Sequence, residues 1–178
     1  MHIVIDGYNL IRQSVTLRRF EKTSLEDGRK ALIRFIAPYR QEKGHRITIV
    51  FDGWKTGSPL EERDREGGMD IIYSRRGETA DDVIKRIAET SGEEVLVVTA
   101  DRAITSFAER RGRTVIPSRD FETILLMKSQ GGVDGQAVTA EWTDDDDDDE
   151  ASRDHRKKGP AKRMSRRERD YRKRVGKL

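Results

Sequence analysis

The sequence predicts an α/β fold, a mostly parallel central sheet flanked by helices in three layers, followed by a charged C-terminal tail. Three observations carry this reading. Apolar runs rich in Val and Ile recur up to about residue 116, and most are nearly continuous, as in strands covered on both faces. Amphipathic helical patterns lie between them, so the strands are joined by crossovers and run parallel. Beyond about residue 130 the apolar periodicity stops and charge takes over.

Strands are expected at residues 3–5, 47–51, 69–73, 95–99 and, more briefly, 114–116. Ser24 is placed to cap a helix running to about residue 41, with Glu26 and Asp27 in its first turn. Leu32, Phe35, Ile36 and Tyr39 then share one face. A second helix starts near Thr79, where Ala80, Val83, Ile84, Ile87 and Ala88 follow helical spacing and Gly92 supplies a stop. A third spans about 102–111 and ends at Gly112, and a fourth spans about 118–129. Residues 54–68 read as a long polar connection, a length suited to lining a substrate groove. Gly131, Gly132 and Gly135 mark the exit from a domain of residues 1–130 into a tail of residues 131–178.

Charge divides along the same line. Residues 1–143 carry 23 Lys/Arg and 23 Asp/Glu, net zero; residues 144–150 are wholly acidic, net −7; residues 151–178 are net +10. The basic character therefore belongs to the tail, which is expected to be disordered or conditionally ordered, and it points to nucleic acid or an anionic surface as partner. The chain has no cysteine, so disulfides, zinc–thiolate sites and thiol catalysis are excluded. Its three histidines, His2, His45 and His155, are far apart. No apolar run approaches the roughly 20 residues that span a bilayer. A cytoplasmic protein without a membrane partner is the expectation.

Three apolar strands run into an aspartate: Asp6 after residues 3–5, Asp52 after 47–51 and Asp101 after 95–99. In an open parallel sheet the carboxyl ends of the strands share one edge, where ligands bind. Glu78, Asp81 and Asp82 begin the helix after the third strand and belong at the same edge. Carboxylates gathered this closely oppose one another's ionisation, which a hard divalent cation relieves. Mg²⁺ or Mn²⁺ takes such oxygen ligands together with water and substrate phosphate, and can activate water against a phosphodiester. Each aspartate alone could equally be a turn former or a helix cap. Gly7 allows close backbone approach, while Asn9 could orient a phosphate or cap a helix. Tyr8 and Trp54 could stack on a base, with core packing as the alternative for Tyr8. Arg102 could meet phosphate or pair with the acidic set.

Four stretches now combine: Ile3-Val4-Ile5-Asp6-Gly7-Tyr8-Asn9-Leu10-Ile11, Val50-Phe51-Asp52-Gly53, Gly77-Glu78-Thr79-Ala80-Asp81 and Thr99-Ala100-Asp101-Arg102-Ala103. In this order and spacing the chain resembles the NYN domain family, in its YacP-like branch, within the PIN-like nuclease superfamily. The resemblance is assigned to residues 1–127. It implies a PIN-like sheet, dependence on Mg²⁺ or Mn²⁺, endoribonuclease activity and RNA as partner, with the ribosome as a further partner. It places metal-site carboxylates on Asp6, Asp81 and Asp101, with Asn9 and Asp52 close by. Glu78 matches a position of structural character, and Asp82 ranks below it. Ala100 departs from the small polar residue frequent before the aspartate, which puts a supporting hydrogen bond in question.

In the tail, Arg163, Arg166, Arg167, Arg172 and Lys173 are the candidate phosphate contacts, with Tyr171 among them. If about six phosphates are neutralised there, single-strand affinity falls with salt at a log–log slope near −4. Salt titrations of the full chain and of one truncated after residue 143 test this, and equal slopes remove the tail from RNA binding. Two further readings stand beside the endoribonuclease: a non-catalytic RNA- or ribosome-binding protein, and a structure-specific DNA nuclease. A dinucleotide enzyme is disfavoured by the missing glycine-rich turn after the first strand.

Overall fold

A computed structural model of the chain describes residues 1–53, 59–129 and 175–178. The chain divides into two compact units, residues 1–132 together with Leu178, and residues 133–177. Of the second unit only residues 175–177 are described. Trp54 and the tail positions Arg163, Arg166, Arg167, Arg172 and Lys173 lie outside the described residues, as does the acidic run.

The first unit is built on six strands: β1 (His2–Asp6), β2 (Arg46–Phe51), β3 (Glu62–Glu66), β4 (Met69–Tyr73), β5 (Val95–Val98) and β6 (Thr114–Ile116). They form one sheet in the order β3-β4-β2-β1-β5-β6, parallel throughout except for β3. The helices are α1 (Gly7–Gln13), α2 (Arg18–Thr23), α3 (Leu25–Lys43), α4 (Ala80–Thr90), α5 (Arg102–Arg110) and α6 (Ser118–Ser129). The expected fold class is what is observed.

Both faces of the sheet are covered, which explains the continuous apolar runs. Val4, Val50, Ile72, Val95 and Val97 pack with Val83, Ile84 and Ala88 of α4 and Ile104 and Ala108 of α5. The alternate residues Ile3, Ile5, Ile47, Ile49 and Phe51 are equally buried and face the other way, toward the layer in which α1, α3 and α6 pack together. Ser24 caps α3 through the Asp27 N–H, as expected, although Ile33 rather than Phe35 completes its buried face. Thr79 caps α4 in a reciprocal capping box with Asp82.

Three elements depart from the sequence reading. Asn9, read as able to cap a helix, lies inside the seven-residue α1, whose cap is Asp6, and the six-residue α2 buries no residue, so no periodicity announces it. The second half of the supposed polar connection is β3, Glu-Arg-Asp-Arg-Glu, fully exposed and paired antiparallel to β4. A strand without an apolar residue has no hydrophobic signature, and its charges protect a sheet edge from pairing with other chains. The readable signal was the Gly67-Gly68 pair. Both glycines have positive φ, 59° and 76°, and close the two-residue hairpin between β3 and β4.

Candidate active site

The strand order reverses between β1 and β5. Chain connections from β1 lead outward through β2 to β4, whereas α4 returns from β4 to place β5 on the other side of β1. The carboxyl end of this junction is the expected ligand crevice of an open α/β sheet. Asp6 stands there at the end of β1, and Asp101 follows β5.

Thr99 joins them. Its hydroxyl donates to Asp6 Oδ2 (3.2 Å) and accepts from the Asp101 backbone N–H (3.0 Å). Thr99 is 1 % exposed, so this link is made out of water. It supplies the supporting hydrogen bond that Ala100 put in question, from one residue earlier. Sequence reading missed it; the signal was a hydroxyl ending the otherwise aliphatic run Val95–Val98.

Each strand-end aspartate also has local structural work. Asp6 caps α1 by accepting from the Asn9 N–H (3.2 Å). Asp101 caps α5 by accepting from the Ala103 and Ile104 N–H groups (2.7 and 3.0 Å). Asp52 reaches across 28 residues to accept from the Ala80 N–H (2.7 Å) at the start of α4. The capping and ligand-binding readings are therefore not alternatives: Asp52 and Asp101 cap through one oxygen, and Asp6, whose Oδ1 takes the Asn9 N–H and whose Oδ2 takes the Thr99 hydroxyl, keeps further lone pairs on both.

The acidic groups share an electrostatic field. Burial pushes the Asp6 carboxyl up to about 6, against the hydrogen bonds from Asn9 and Thr99, with further upward pressure from Asp81 and Asp52. Burial raises Asp81 as well, followed by the charge of Asp101, while Lys85 opposes the shift. Asp81 lies 3.8 Å from the Lys85 ammonium. Among the described residues, no three His, Cys, Asp or Glu side chains stand close enough to cage a metal ion by themselves. The donor set nevertheless fits Mg²⁺ or Mn²⁺, which needs only one or two protein carboxylates when water and substrate phosphate complete its shell. A buried carboxylate without a counter-charge, as Asp6 is among the described residues, is what a bound cation would relieve.

Asn9 is fixed from both sides. Its Oδ1 accepts from the Ala100 N–H (2.9 Å) and from the buried Ser118 hydroxyl (2.8 Å), tying α1 to the β5–α5 turn and to the start of α6. Glu78 belongs to a charge network with Arg75 (3.3 Å) and Arg86 (2.5 Å), and Arg86 also pairs with Glu61. That network supports its structural reading. Asp82 is exposed and committed to the α4 capping box. Tyr8 is 8 % exposed, with Phe51 edge-on at 5.1 Å and the Arg12 guanidinium 5.4 Å from its centroid, a geometry that favours core packing over base stacking. Arg102 is exposed at the start of α5.

Two clefts flank the sheet. One of about 460 Å³ is lined by Pro59, Arg75, Arg76, Gly77, Glu78 and Asp82, beside the carboxyl edge. Another of about 390 Å³, including His2, Arg46 and Asp70, opens at the amino edge. Asp6, Asp52 and Asp101 line neither.

A mostly parallel sheet of this order, with aspartates at the carboxyl ends of its strands, is an open α/β fold whose ligand crevice carries acidic groups. More narrowly, a family model for the YacP-like NYN domain matches residues 3–174, and the chain belongs to that family. The match runs well past residue 127, the end of the resemblance seen in the sequence motifs, and so takes in most of the charged tail. "Uncharacterized protein YacP" of Bacillus subtilis (strain 168) is 31% identical over 87 residues, 49% of this chain and 51% of that protein. The matched segment thus spans about half the length of this curated relative. The crystal structure of Rae1 (YacP) from Bacillus subtilis superposes with a TM-score of 0.62 at 24% identity, covering 73% of this chain and 76% of that one. A mutant of the same protein gives 0.60 at 22%, covering 73% and 77%. At these identities the likeness is one of fold. Among the described residues no helix is long and apolar enough to cross a membrane.

Proposed function

We propose that this protein is a metal-dependent endoribonuclease that hydrolyses RNA phosphodiester bonds in the cytoplasm, with ribosome-associated messenger RNA as a candidate substrate. The observation that supports it most is the buried Thr99 hydroxyl, which links Asp6 to Asp101 at the point where strand order reverses. Asp6, with Asp81 and Asp101, would hold Mg²⁺ or Mn²⁺. When bound, the cation would supply an activated water and offset charge developing on the phosphoryl oxygens.

The chain's own residues do the rest. Thr99 and the α1 cap hold Asp6 in one rotamer, so its free lone pairs keep a fixed direction. Asp101 is held likewise by two backbone N–H groups of α5. Asn9, with its oxygen engaged by Ala100 and Ser118, keeps its amide plane fixed beside both aspartates. Asp52 anchors the start of α4 and with it the position of Asp81. Such preorganisation lowers a barrier because no rearrangement is needed when charge develops.

The test is cleavage of a mixed RNA pool, including translating ribosomes, with Mn²⁺ or Mg²⁺ and with EDTA, beside matched DNA. Asp6→Asn and Asp101→Asn variants, each checked for folding, run in parallel. Cation-dependent cutting of RNA that both variants lose supports the reading. RNA bound but never cut, equally by all three proteins, replaces it with the non-catalytic RNA- or ribosome-binding module. Cutting of DNA in preference to RNA moves the substrate to DNA.

Thr99→Val, which keeps the β-branched shape and removes the hydroxyl, is expected to lower kcat by about 10- to 100-fold with KM little changed, because it frees the Asp6 carboxylate and leaves the Asp101 backbone N–H without its acceptor. Steady-state kinetics beside a thermal melt check this. An unchanged kcat in folded Thr99→Val means the link has no part in turnover.

A further inference from the structure

The carboxyl edge carries a second feature, on its β4 side. Three aromatic rings line up there: Tyr8 meets Phe51 edge-on (5.1 Å, 63°), and Phe51 lies against Tyr73 (5.8 Å, 22°). Arg29, near the start of α3, sits over the Tyr73 ring at 5.2 Å from its centroid and lies against the Tyr8 hydroxyl. Most arginines with side chains engaged nearby are neutralised: Arg12 pairs with Glu21, Arg75 with Glu78, and Arg86 with Glu78 and Glu61. Arg29 is half-buried, and among the described residues no carboxylate is ion-paired with it. A guanidinium braced by a ring and a hydroxyl, and lacking a carboxylate, keeps N–H donors in a fixed fork, the geometry that takes a phosphate through two hydrogen bonds.

We propose that Arg29, braced between Tyr8 and Tyr73, is a phosphate-binding residue of the RNA groove, holding a backbone phosphate on the β4 side of the acidic edge. It rests on the endoribonuclease reading only for the identity of the polymer. Tyr8 and Tyr73 act through it as positioning residues. RNA would then lie along the carboxyl edge, from Tyr73 across β2 and β1 toward Asp101.

Binding is measured apart from cleavage, by fluorescence anisotropy of a labelled single-stranded RNA over a range of salt, without divalent cation, on full-length protein. Arg29→Gln and Arg29→Lys are compared with Arg46→Gln, which makes the same charge change at the amino edge, where Arg46 pairs with Asp70 and Glu93. Arg29→Gln is expected to weaken binding about tenfold and to make the log–log salt slope less steep by about 0.7. Arg29→Lys restores the slope and only part of the affinity, since an ammonium lacks the fork, and Arg46→Gln matches wild type. A structural role alone lowers the melting temperature of Arg29→Gln and leaves the slope unchanged, which overturns the proposal, as does wild-type protein that binds no RNA. If Arg29→Gln loses RNA while wild type cuts nothing, the phosphate site stands and the nuclease reading fails. If wild type cuts and folded Arg29→Gln binds and cuts equally well, the phosphate site alone fails.

Discussion

Asp6→Asn is expected to abolish cleavage and, in the absence of divalent cation, to make the protein more stable. The activity loss follows from its place at the reversal point, joined to Asp101 through Thr99. Removal of a ligating carboxylate is expected to lower kcat/KM by at least about a thousandfold, roughly 4 kcal/mol of transition-state stabilisation. The stability gain follows from burial. Asp6 is 8 % exposed, and its carboxyl is raised from 3.8 to about 6. A raised acid holds its proton more tightly in the folded state. The group therefore contributes nothing below about pH 4, where both states are protonated. Its destabilisation grows between about pH 4 and pH 6, and above that it amounts to about 3 kcal/mol. Asn carries no charge and can still cap α1, so the variant escapes most of this. Thermal melts in EDTA should show Asp6→Asn above wild type at pH 7.5, with the difference vanishing near pH 4. Saturating Mn²⁺ should raise the wild type and leave the variant unmoved. A variant less stable than wild type at pH 7.5, or equally stabilised by Mn²⁺, would contradict this account of Asp6.

Gly53→Ala is expected to destabilise the fold by about 3 kcal/mol and to lose activity with it. The cause is neither a turn nor a positive φ. A Cβ on Gly53 would stand 2.1 Å from the Ser74 carbonyl oxygen. The backbones approach this closely because the β2–β4 pairing continues past the strand ends. The Ser74 N–H donates to the Phe51 carbonyl (3.0 Å), and the Gly53 N–H donates to the Ser74 hydroxyl (3.1 Å). The obstructing atom is main chain and cannot rotate away, so Asp52 must move, and with it the bond that fixes the start of α4. Ser74→Ala is the companion variant: it removes a hydrogen bond without a clash and should cost about 1 kcal/mol. Denaturant unfolding of both separates steric overlap from hydrogen-bond loss. A Gly53→Ala midpoint equal to that of wild type would show that the two backbones can separate freely.

The sequence alone determined the α/β class, the five apolar strands and the starts of α3, α4, α5 and α6, because periods of 2 and 3.6 and capping residues are local properties. It also put Asp6, Asp52 and Asp101 at the carboxyl ends of strands, which parallel strands hold on one side, and Asp81 in the first turn of the helix after β4. Only the tertiary structure decided which groups support them. Thr99 and Asp6 are 93 residues apart, Asn9 and Ala100 are 91 apart, and Asn9 and Ser118 are 109 apart. No pattern within a segment encodes such partners. They are set by which strand lies beside β1, and that follows from the return of α4 across the sheet. Arg29 is ordinary in a charged helix and becomes distinctive only where Tyr8, Phe51 and Tyr73, drawn from three separate segments, converge beneath it. β3 was illegible for the complementary reason: a wholly charged strand is held by the backbone hydrogen bonds of β4 and not by any apolar side chain of its own.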